Sequence, residues 1–171
     1  MTPPPPLPQG VREAAVISTC NRFEILLVTD AAFLAARRVT ALLAERASVP
    51  PCALRALLLV LSGDDATWHV LRVAAGLDSL VVGEAQILAQ MKRCRAAAVA
   101  PGAGGGKVLG RLLAAAVHAG KRARSETDIS RGGVSVSSAA VELVQASPLS
   151  PQPPEPPAPP LPPVPAAAGA R

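Results

Sequence analysis

The sequence predicts an α/β fold, and three observations support this. Half of the 171 residues are apolar but only 2% are aromatic, so a core would consist of Ala, Val and Leu side chains. Two short apolar runs precede longer segments in which apolar residues recur at helical spacing. Apart from Pro50, Pro51 and Pro101, the 19 prolines lie near the two ends, which leaves the length of one domain between them.

The segment AAVISTCNRFEILLV contains two runs typical of buried strands, separated by Thr19-Cys20-Asn21-Arg22. On an extended backbone, residues two apart project to the same face, which predicts that Arg22 lies beside the Cys20 thiol. A nearby cation favours the thiolate, so Cys20 is a candidate nucleophile, and Arg22 could hold a substrate carboxylate. The alternative is that Cys20 serves only in packing, as buried cysteines commonly do.

The first helix is predicted over residues 31–48 and ends before Pro50-Pro51. Its expected apolar stripe consists of Phe33, Leu34, Val39, Leu42 and Leu43. Residues 53–65, ALRALLLVLSGDD, fit either a helix or a short strand around residues 57–61.

A second helix is predicted from a capping box, Ser62 with Asp65, to Gly76, which can end the helix in a left-handed conformation. His69 lies on this helix and could act as a general acid or orient a leaving group. The alternative is a histidine at the helix surface without a chemical role. The other histidine, His118, is given no role.

Three later helices are expected at residues 84–100, 108–125 and 137–144. The apolar stripes of the first two are Ile87, Leu88 and Met91, and Leu109, Leu112, Leu113 and Val117. Gln86, Gln90 and Arg93 share another face of the first of these helices. The loop PGAGGGK at residues 101–107 resembles a phosphate cradle but lacks the glycine and the Ser or Thr that a P-loop requires.

No apolar run approaches the length needed to cross a bilayer, and the longest lies near Leu59. The N-terminus has neither a secretory signal nor a transit-peptide pattern. Cys20, Cys52 and Cys94 form no CxxC pair and no zinc spacing. We therefore expect free thiols and no metal.

Three segments resemble successive signature blocks of the glutamyl-tRNA reductases, NADPH-dependent enzymes that start tetrapyrrole biosynthesis from glutamate. The blocks are STCNRFEI, DATWHVLRVAAGLDSLVVGEAQILAQMK and GKRARSETDISRGGVSVSSAAVELV. They occur in order across residues 11–144. The second block is similar to plastid and cyanobacterial members, which implies haem and chlorophyll as products of the pathway.

The resemblance implies a mechanism in which a cysteine thiolate attacks the ester joining glutamate to tRNA. Hydride from NADPH then reduces the enzyme thioester to glutamate-1-semialdehyde. By position in the motifs, Cys20 is the nucleophile and His69 is a second residue needed for activity. Arg22 would bind the glutamyl carboxylate. The implied substrate-binding positions are Thr19, Asn21, Arg22, Ser79, Glu84, Ala85, Gln86 and Gln90.

The resemblance also implies a domain organisation. A proline-rich leader at residues 1–10 would precede a catalytic domain at 11–132 that is incomplete because its first strand is missing. A stub of the NADPH-binding domain would occupy 133–146, followed by a disordered proline-rich tail at 147–171. Without the NADPH-binding and dimerisation domains, the chain is not expected to complete the reaction or to form the family homodimer. The expected compartment is the plastid stroma in an alga or plant, otherwise the cytoplasm.

A second class of function is a non-catalytic or merely esterolytic fragment that binds tRNA or another partner. The net charge of +5 and the cluster of Lys121, Arg122 and Arg124, with Arg131 nearby, could meet tRNA phosphates. Equally, basic residues at a helix C-terminus complement the helix dipole and are simply solvated. An activated Cys20 would distinguish the enzyme from the binder.

Overall fold

The computed structural model describes residues 7–131 and 136–146, which form a β-hairpin, six α-helices and one short 3₁₀ helix. The elements are β1 Val11–Ser18, β2 Phe23–Thr29, α1 Ala32–Ala47, α2 Pro51–Leu57, α3 Gly63–Ala75, α4 Ala85–Ala98, α5 Lys107–Glu126, the 3₁₀ helix Asp128–Ser130 and α6 Val136–Ala146. The α/β class is thus confirmed. The predicted tail at 147–171 and most of the leader lie outside the described residues.

The two strands pair in antiparallel register, with Val16 opposite Ile25 and Ser18 opposite Phe23. Ile17 is 1% exposed whereas its neighbour Val16 is 49% exposed. Side chains in a strand alternate between its faces, so only one face of β1 packs against the core. Both strands are confirmed. The prediction of a buried sheet was wrong for the face of β1 that carries Val16, which is exposed.

The core lies between the buried face of β1 and the helices α3, α4 and α5. Its most deeply buried large side chains come from these four elements: Ile17, Val70, Val73, Met91 and Leu113. The predicted apolar stripes of α4 and α5 face this core, with Leu88 and Leu112 partly buried at its edge. Helical periodicity therefore identified the buried faces of both helices correctly.

Helix α1 has the predicted position but not the predicted buried face. Phe33 is 73% exposed, while the buried residues are Ala35, Thr40 and Ala44. The apolar stripe predicted for α1 is therefore wrong, because small residues make the close contact. The helix ends at Ser48 in a left-handed conformation, and Pro51 begins α2 as its first residue.

Helix α3 begins directly after Ser62, as predicted, but the Ser62 side chain makes no capping hydrogen bond. The expected capping box is therefore not formed. The helix ends as expected at Gly76, which has a φ of 85°. In the ambiguous segment 53–65, α2 continues to Leu57 and no strand forms.

The N-terminus of α5 is capped from a distance by Glu13 of β1. Its carboxylate accepts the backbone N–H of Leu109 at 2.7 Å and of Val108 at 3.1 Å. Burial alone would raise the pKa of Glu13, but these hydrogen bonds and one from Gly106 lower it overall. A carboxylate thus occupies the position at which a phosphate would bind, which explains why the glycine-rich loop is no phosphate cradle.

Glu13→Gln is expected to lower the free energy of unfolding by about 0.5–1 kcal/mol near neutral pH, because a charged cap is replaced by a neutral one. A lowered carboxyl pKa stabilises the fold above the unfolded value, here 4.5, and this contribution is lost as the pH falls through the lowered value. Urea denaturation between pH 7 and pH 3 should therefore show the difference between the two proteins shrinking. A difference in unfolding free energy that stays constant with pH would contradict the capping role. The control is Glu45→Gln, which changes an exposed glutamate of α1.

None of the helices within 7–131 and 136–146 is both long and apolar enough to cross a membrane.

Candidate functional site

The tetrad Thr19–Arg22 forms the tight connection between β1 and β2. The backbone N–H of Thr19 donates to the carbonyl of Arg22 at 2.9 Å. The Thr19 hydroxyl accepts the N–H groups of Asn21 and Arg22 at 3.2 and 3.0 Å. We expected Cys20 and Arg22 to lie on an extended strand with their side chains on the same face. This expectation is wrong, because the chain reverses between the two residues. The turn instead leaves Cys20 exposed to solvent.

A small cleft separates this turn from the loop between α3 and α4 and from the first turns of α4. It is lined by residues 19–22, Ser79, Glu84, Ile87 and Gln90. Its volume is about 20 Å³, roughly room for one water molecule. A larger group would have to displace side chains or approach Cys20 from its exposed side.

Arg22 lies at the base of the cleft in a partly buried ion pair. Its guanidinium donates to Glu24 at 2.7 Å, and the two side chains are only 13% and 18% exposed. A second guanidinium N–H donates to the backbone carbonyl of Asp78. These contacts fix the orientation of Arg22, and Glu24 competes with any other carboxylate for its charge.

His69 joins the same network from α3. Its Nε2 lies 3.1 Å from a carboxylate oxygen of Glu24, and its Nδ1 lies 3.5 Å from a carboxylate oxygen of Asp78. The ring can donate to both only when protonated, since neutral histidine has a single N–H. Asp78 also accepts from Arg72 at 2.9 Å. Both ring nitrogens thus face carboxylates.

The structure brings together most of the residues predicted from sequence, but not all of them. Seven lie around the cleft: Thr19, Cys20, Asn21, Arg22, Ser79, Glu84 and Gln90. Ala85 and Gln86 are exposed at the start of α4 and do not line the cleft. His69 lies outside the lining and connects to it through Glu24 and Arg22.

Glu24 and Asp78 are the network members that sequence analysis missed. Glu24 could have been found, because opposite charges two residues apart at a strand start can share a face, as Arg22 and Glu24 do. Asp78 gave no comparable signal. It is 56 positions from Arg22 in sequence, and only the folded chain brings the two together.

Arg124 of α5 braces the loop side of the cleft. Its guanidinium donates to the backbone carbonyls of Glu84 at 2.7 Å, Gly120 at 3.0 Å and Ala74 at 3.3 Å. Burial lowers its pKa. The sequence left Arg124 open as a tRNA contact or a solvated residue, but the side chain is used inside the protein. Arg122 is exposed and pairs with Glu126.

A model of the N-terminal domain of glutamyl-tRNAGlu reductase matches residues 7–127. The chain belongs to the glutamyl-tRNA reductase family. The resemblance inferred from the three signature blocks is therefore confirmed, and the matched region contains the whole cleft.

Glutamyl-tRNA reductases of cyanobacteria are close in sequence to this chain. The protein of Synechococcus elongatus is 51% identical over 135 residues, which cover 79% of this chain and 31% of that protein. The protein of Thermosynechococcus vestitus is 47% identical over 138 residues, covering 78% and 31%. The glutamyl-tRNA reductase of Cyanophora paradoxa is 47% identical over 135 residues, covering 79% and 31%. The chain thus spans less than a third of the length of these relatives.

Two helix N-termini of the described residues, those of α5 and α3, are unsuited to the pyrophosphate group of NADPH. A pyrophosphate group would need free backbone N–H groups at a helix N-terminus, but Glu13 occupies those of α5. The first turn of α3 carries Asp64 and Asp65, which would repel an anion. Residues 7–131 and 136–146 also contain no cluster of three His, Cys, Asp or Glu side chains suited to a metal.

Proposed function

We propose that this chain carries the thiol half-reaction of glutamyl-tRNA reductase, in which Cys20 accepts the glutamyl group of glutamyl-tRNA. The observation that carries this proposal is the placement of an exposed Cys20 at a cleft that Arg22, Ser79, Glu84 and Gln90 also line. These residues come from two distant parts of the chain, residues 20–22 and residues 79–90. Such convergence around a nucleophile supports a reaction site more than it supports a packing role for Cys20.

The proposed step is a transfer of the acyl group from oxygen to sulfur. The Cys20 Sγ attacks the ester carbonyl carbon, a carbon–sulfur bond forms, and the ester carbon–oxygen bond breaks. The released tRNA keeps the ribose oxygen, which takes up the proton that the thiol gives up. No electrons are exchanged with an outside donor at this stage. Because the thiol is exposed, the ester can reach it although the cleft itself is nearly filled.

Arg22 would bind the side-chain carboxylate of the glutamyl group. Its guanidinium is already orientated by Glu24 and by the Asp78 carbonyl, so little conformational entropy is lost on binding. Glu24 and His69 would act as positioning residues, since they reach the cleft only through Arg22. The role proposed for His69 is therefore to hold Glu24 in place, rather than to transfer a proton to the leaving group.

In the family reaction, hydride from NADPH reduces the thioester to glutamate-1-semialdehyde, which enters tetrapyrrole biosynthesis. The proposal covers the acyl transfer alone and assigns no residue of this chain to the hydride step. A location in the plastid stroma or the cytoplasm stays a prediction for this chain.

The test is to incubate the full chain with glutamyl-tRNA charged with labelled glutamate, in the absence of NADPH. We expect label to be retained on the protein after acid precipitation and to be released by hydroxylamine, as for a thioester. Cys20→Ser should retain none of this hydroxylamine-labile label. Cys52→Ser is the matched control, because Cys52 is also exposed, and it should retain as much as the unmodified chain. Equal labelling of both variants would refute the proposal and favour a non-catalytic fragment.

Glu24→Gln is expected to slow this acylation by about tenfold or more. The variant keeps the shape of the side chain but loses the charge that holds both Arg22 and His69, and charge-assisted hydrogen bonds are about twice as strong as neutral ones. Single-turnover labelling measures the rate. Glu126→Gln, which removes the partner of an exposed arginine that does not line the cleft, should leave the rate unchanged. Faster acylation by Glu24→Gln would show that Glu24 only competes with the substrate for Arg22.

A further inference from the structure

A second concave surface lies away from the cleft, between the C-terminal half of α4 and the first turns of α5. Its volume is about 620 Å³, far larger than that of the cleft. Three basic side chains line it, namely Arg95 from α4 and Lys107 and Arg111 from α5. We call this surface the basic groove. Its position in the fold differs from that of the cluster at residues 121–124 that sequence analysis singled out.

The charges of the basic groove are not neutralised within the protein. All three basic residues are exposed, and no carboxylate of residues 7–131 and 136–146 forms an ion pair with them. By contrast, the exposed Arg12 and Arg122 each pair with a carboxylate at 2.9 and 2.8 Å. The Glu13 carboxylate lies against Gly106, which lines the groove, and its oxygens accept hydrogen bonds from the backbone of α5. The groove therefore presents three free cations.

Close packing requires glycine where the loop before α5 lines the groove. A Cβ at Gly105 would collide with the backbone carbonyl of Ala98, and a Cβ at Gly106 would collide with the Glu13 carboxylate. Gly110 lies one turn further along α5 and also lines the groove.

The chemistry of this lining fits a chain of phosphates. Arg95 and Arg111 can each hold a phosphate through two parallel hydrogen bonds, and Lys107 adds a point charge. The groove has no aromatic residue on which an unpaired base could stack. Contacts of this kind position a nucleic acid through its backbone and do not read its sequence.

On the basis of the function proposed above, we propose that the basic groove binds the sugar–phosphate backbone of the tRNA whose aminoacylated end reaches Cys20. Helix α4 connects the two sites, because Gln90 lines the cleft and Arg95 lines the groove. Five residues separate them, which is about 7.5 Å along the helix axis. The two side chains point about 140° apart around the helix, so the RNA has to pass round α4 to make both contacts.

The test measures binding of the full chain to an uncharged, fluorescently labelled tRNAGlu transcript by anisotropy, between 50 and 200 mM KCl. The groove variant combines Arg95→Gln, Lys107→Gln and Arg111→Gln. The matched control combines Arg37→Gln, Arg46→Gln and Arg55→Gln, which are exposed on α1 and α2 and remove the same charge. Circular dichroism of both variants checks that they are folded.

We expect the groove variant to bind at least tenfold more weakly, with a salt dependence of log K that is less steep by about 2 to 3, one unit per lost phosphate contact. The control should bind nearly as well as the unmodified chain. Equal weakening of the two variants would overturn the proposal, because net charge alone would then explain binding. Poly-glutamate serves as a probe for an acidic protein partner. If the groove variant loses binding to poly-glutamate but binds tRNA as tightly as the unmodified chain, the proposal is overturned in favour of such a partner.

This experiment is independent of the acylation reaction. Cys20→Ser should bind the uncharged tRNA as tightly as the unmodified chain does, since the basic groove does not involve the thiol. Failed acylation with intact groove-dependent binding would refute the proposed function alone. If Cys20 is acylated but the groove variant binds tRNA as tightly as the unmodified chain, only the proposal for the basic groove is refuted.

Discussion

Gly83→Ala is expected to destabilise the fold by about 2–5 kcal/mol. Gly83 has a φ of 84°, a left-handed conformation that costs other residues about 1–2 kcal/mol. In addition, its added methyl group would collide with the backbone carbonyl of Ile129 in the 3₁₀ helix, and overpacking costs about 1–3 kcal/mol. Backbone atoms cannot rotate away as a flexible side chain can, so the two elements have to separate.

Gly102→Ala is the matched control for this prediction. Gly102 also has a positive φ, 78°, but no atom lies within 4 Å of the position that its Cβ would take. It should therefore show only the conformational cost. Urea denaturation of both variants separates the two effects, and equal losses of stability would contradict the proposed collision at Gly83.

The same substitution should also impair the cleft. The N–H of Gly83 donates to the carbonyl of Gly76 at 3.0 Å, and the next residue is Glu84, which lines the cleft. Displacement of this loop would move Glu84 relative to Cys20. We expect acylation of Cys20 to fall in Gly83→Ala even at a temperature where the variant is still folded, whereas Gly102→Ala should retain it.

Arg124→Met is expected to lower the free energy of unfolding by about 2–4 kcal/mol. The change keeps most of the apolar stem but removes the donors to three backbone carbonyls, those of Ala74, Gly120 and Glu84. A hydrogen bond from a charged donor contributes about 1.5–3 kcal/mol, and contacts made by one side chain are not additive, so the total is far below three times that value. Arg124 joins α3, α5 and the loop before α4, so its loss should loosen all three.

Arg122→Met is the matched control, two residues away on the same helix. Arg122 is exposed and pairs with Glu126 one turn later, a contact that solvent largely screens. Loss of the Arg122 side chain should shift the unfolding midpoint by no more than the error of the measurement. A large effect of Arg122→Met, or a small effect of Arg124→Met, would show that the structural role of Arg124 is wrongly assigned.

Both arginines also bear on the proposal that the basic groove binds tRNA. Sequence alone could not separate them, because Lys121, Arg122 and Arg124 follow one another within four positions. The structure separates them by burial and by partners. Arg124 is used inside the protein, while the free basic surface lies at the other end of α5, at Lys107 and Arg111.

Clusters of apolar residues were sufficient to predict the strands, and helical periodicity was sufficient for α4 and α5, which pack against the core. Ile87 and Met91 of α4 and Leu109 and Leu113 of α5 recur at helical spacing, and all four are buried. The same criterion failed for α1, where Phe33 is exposed and Ala35 is buried. Periodicity shows that a helix has an apolar face, but it does not show that another element lies against that face.

The family of this chain and the identity of its candidate nucleophile follow from the sequence by itself, because they depend on residue types in short blocks around Cys20. Three features were decided only by the tertiary structure: the turn that exposes Cys20, the network of Arg22, Glu24, His69 and Asp78, and the capping of α5 by Glu13. Glu13 and Leu109 are 96 positions apart, and Arg22 and Asp78 are 56 apart. Contacts over such separations depend on how the hairpin packs against α3, α4 and α5, and local sequence patterns carry no information about that packing.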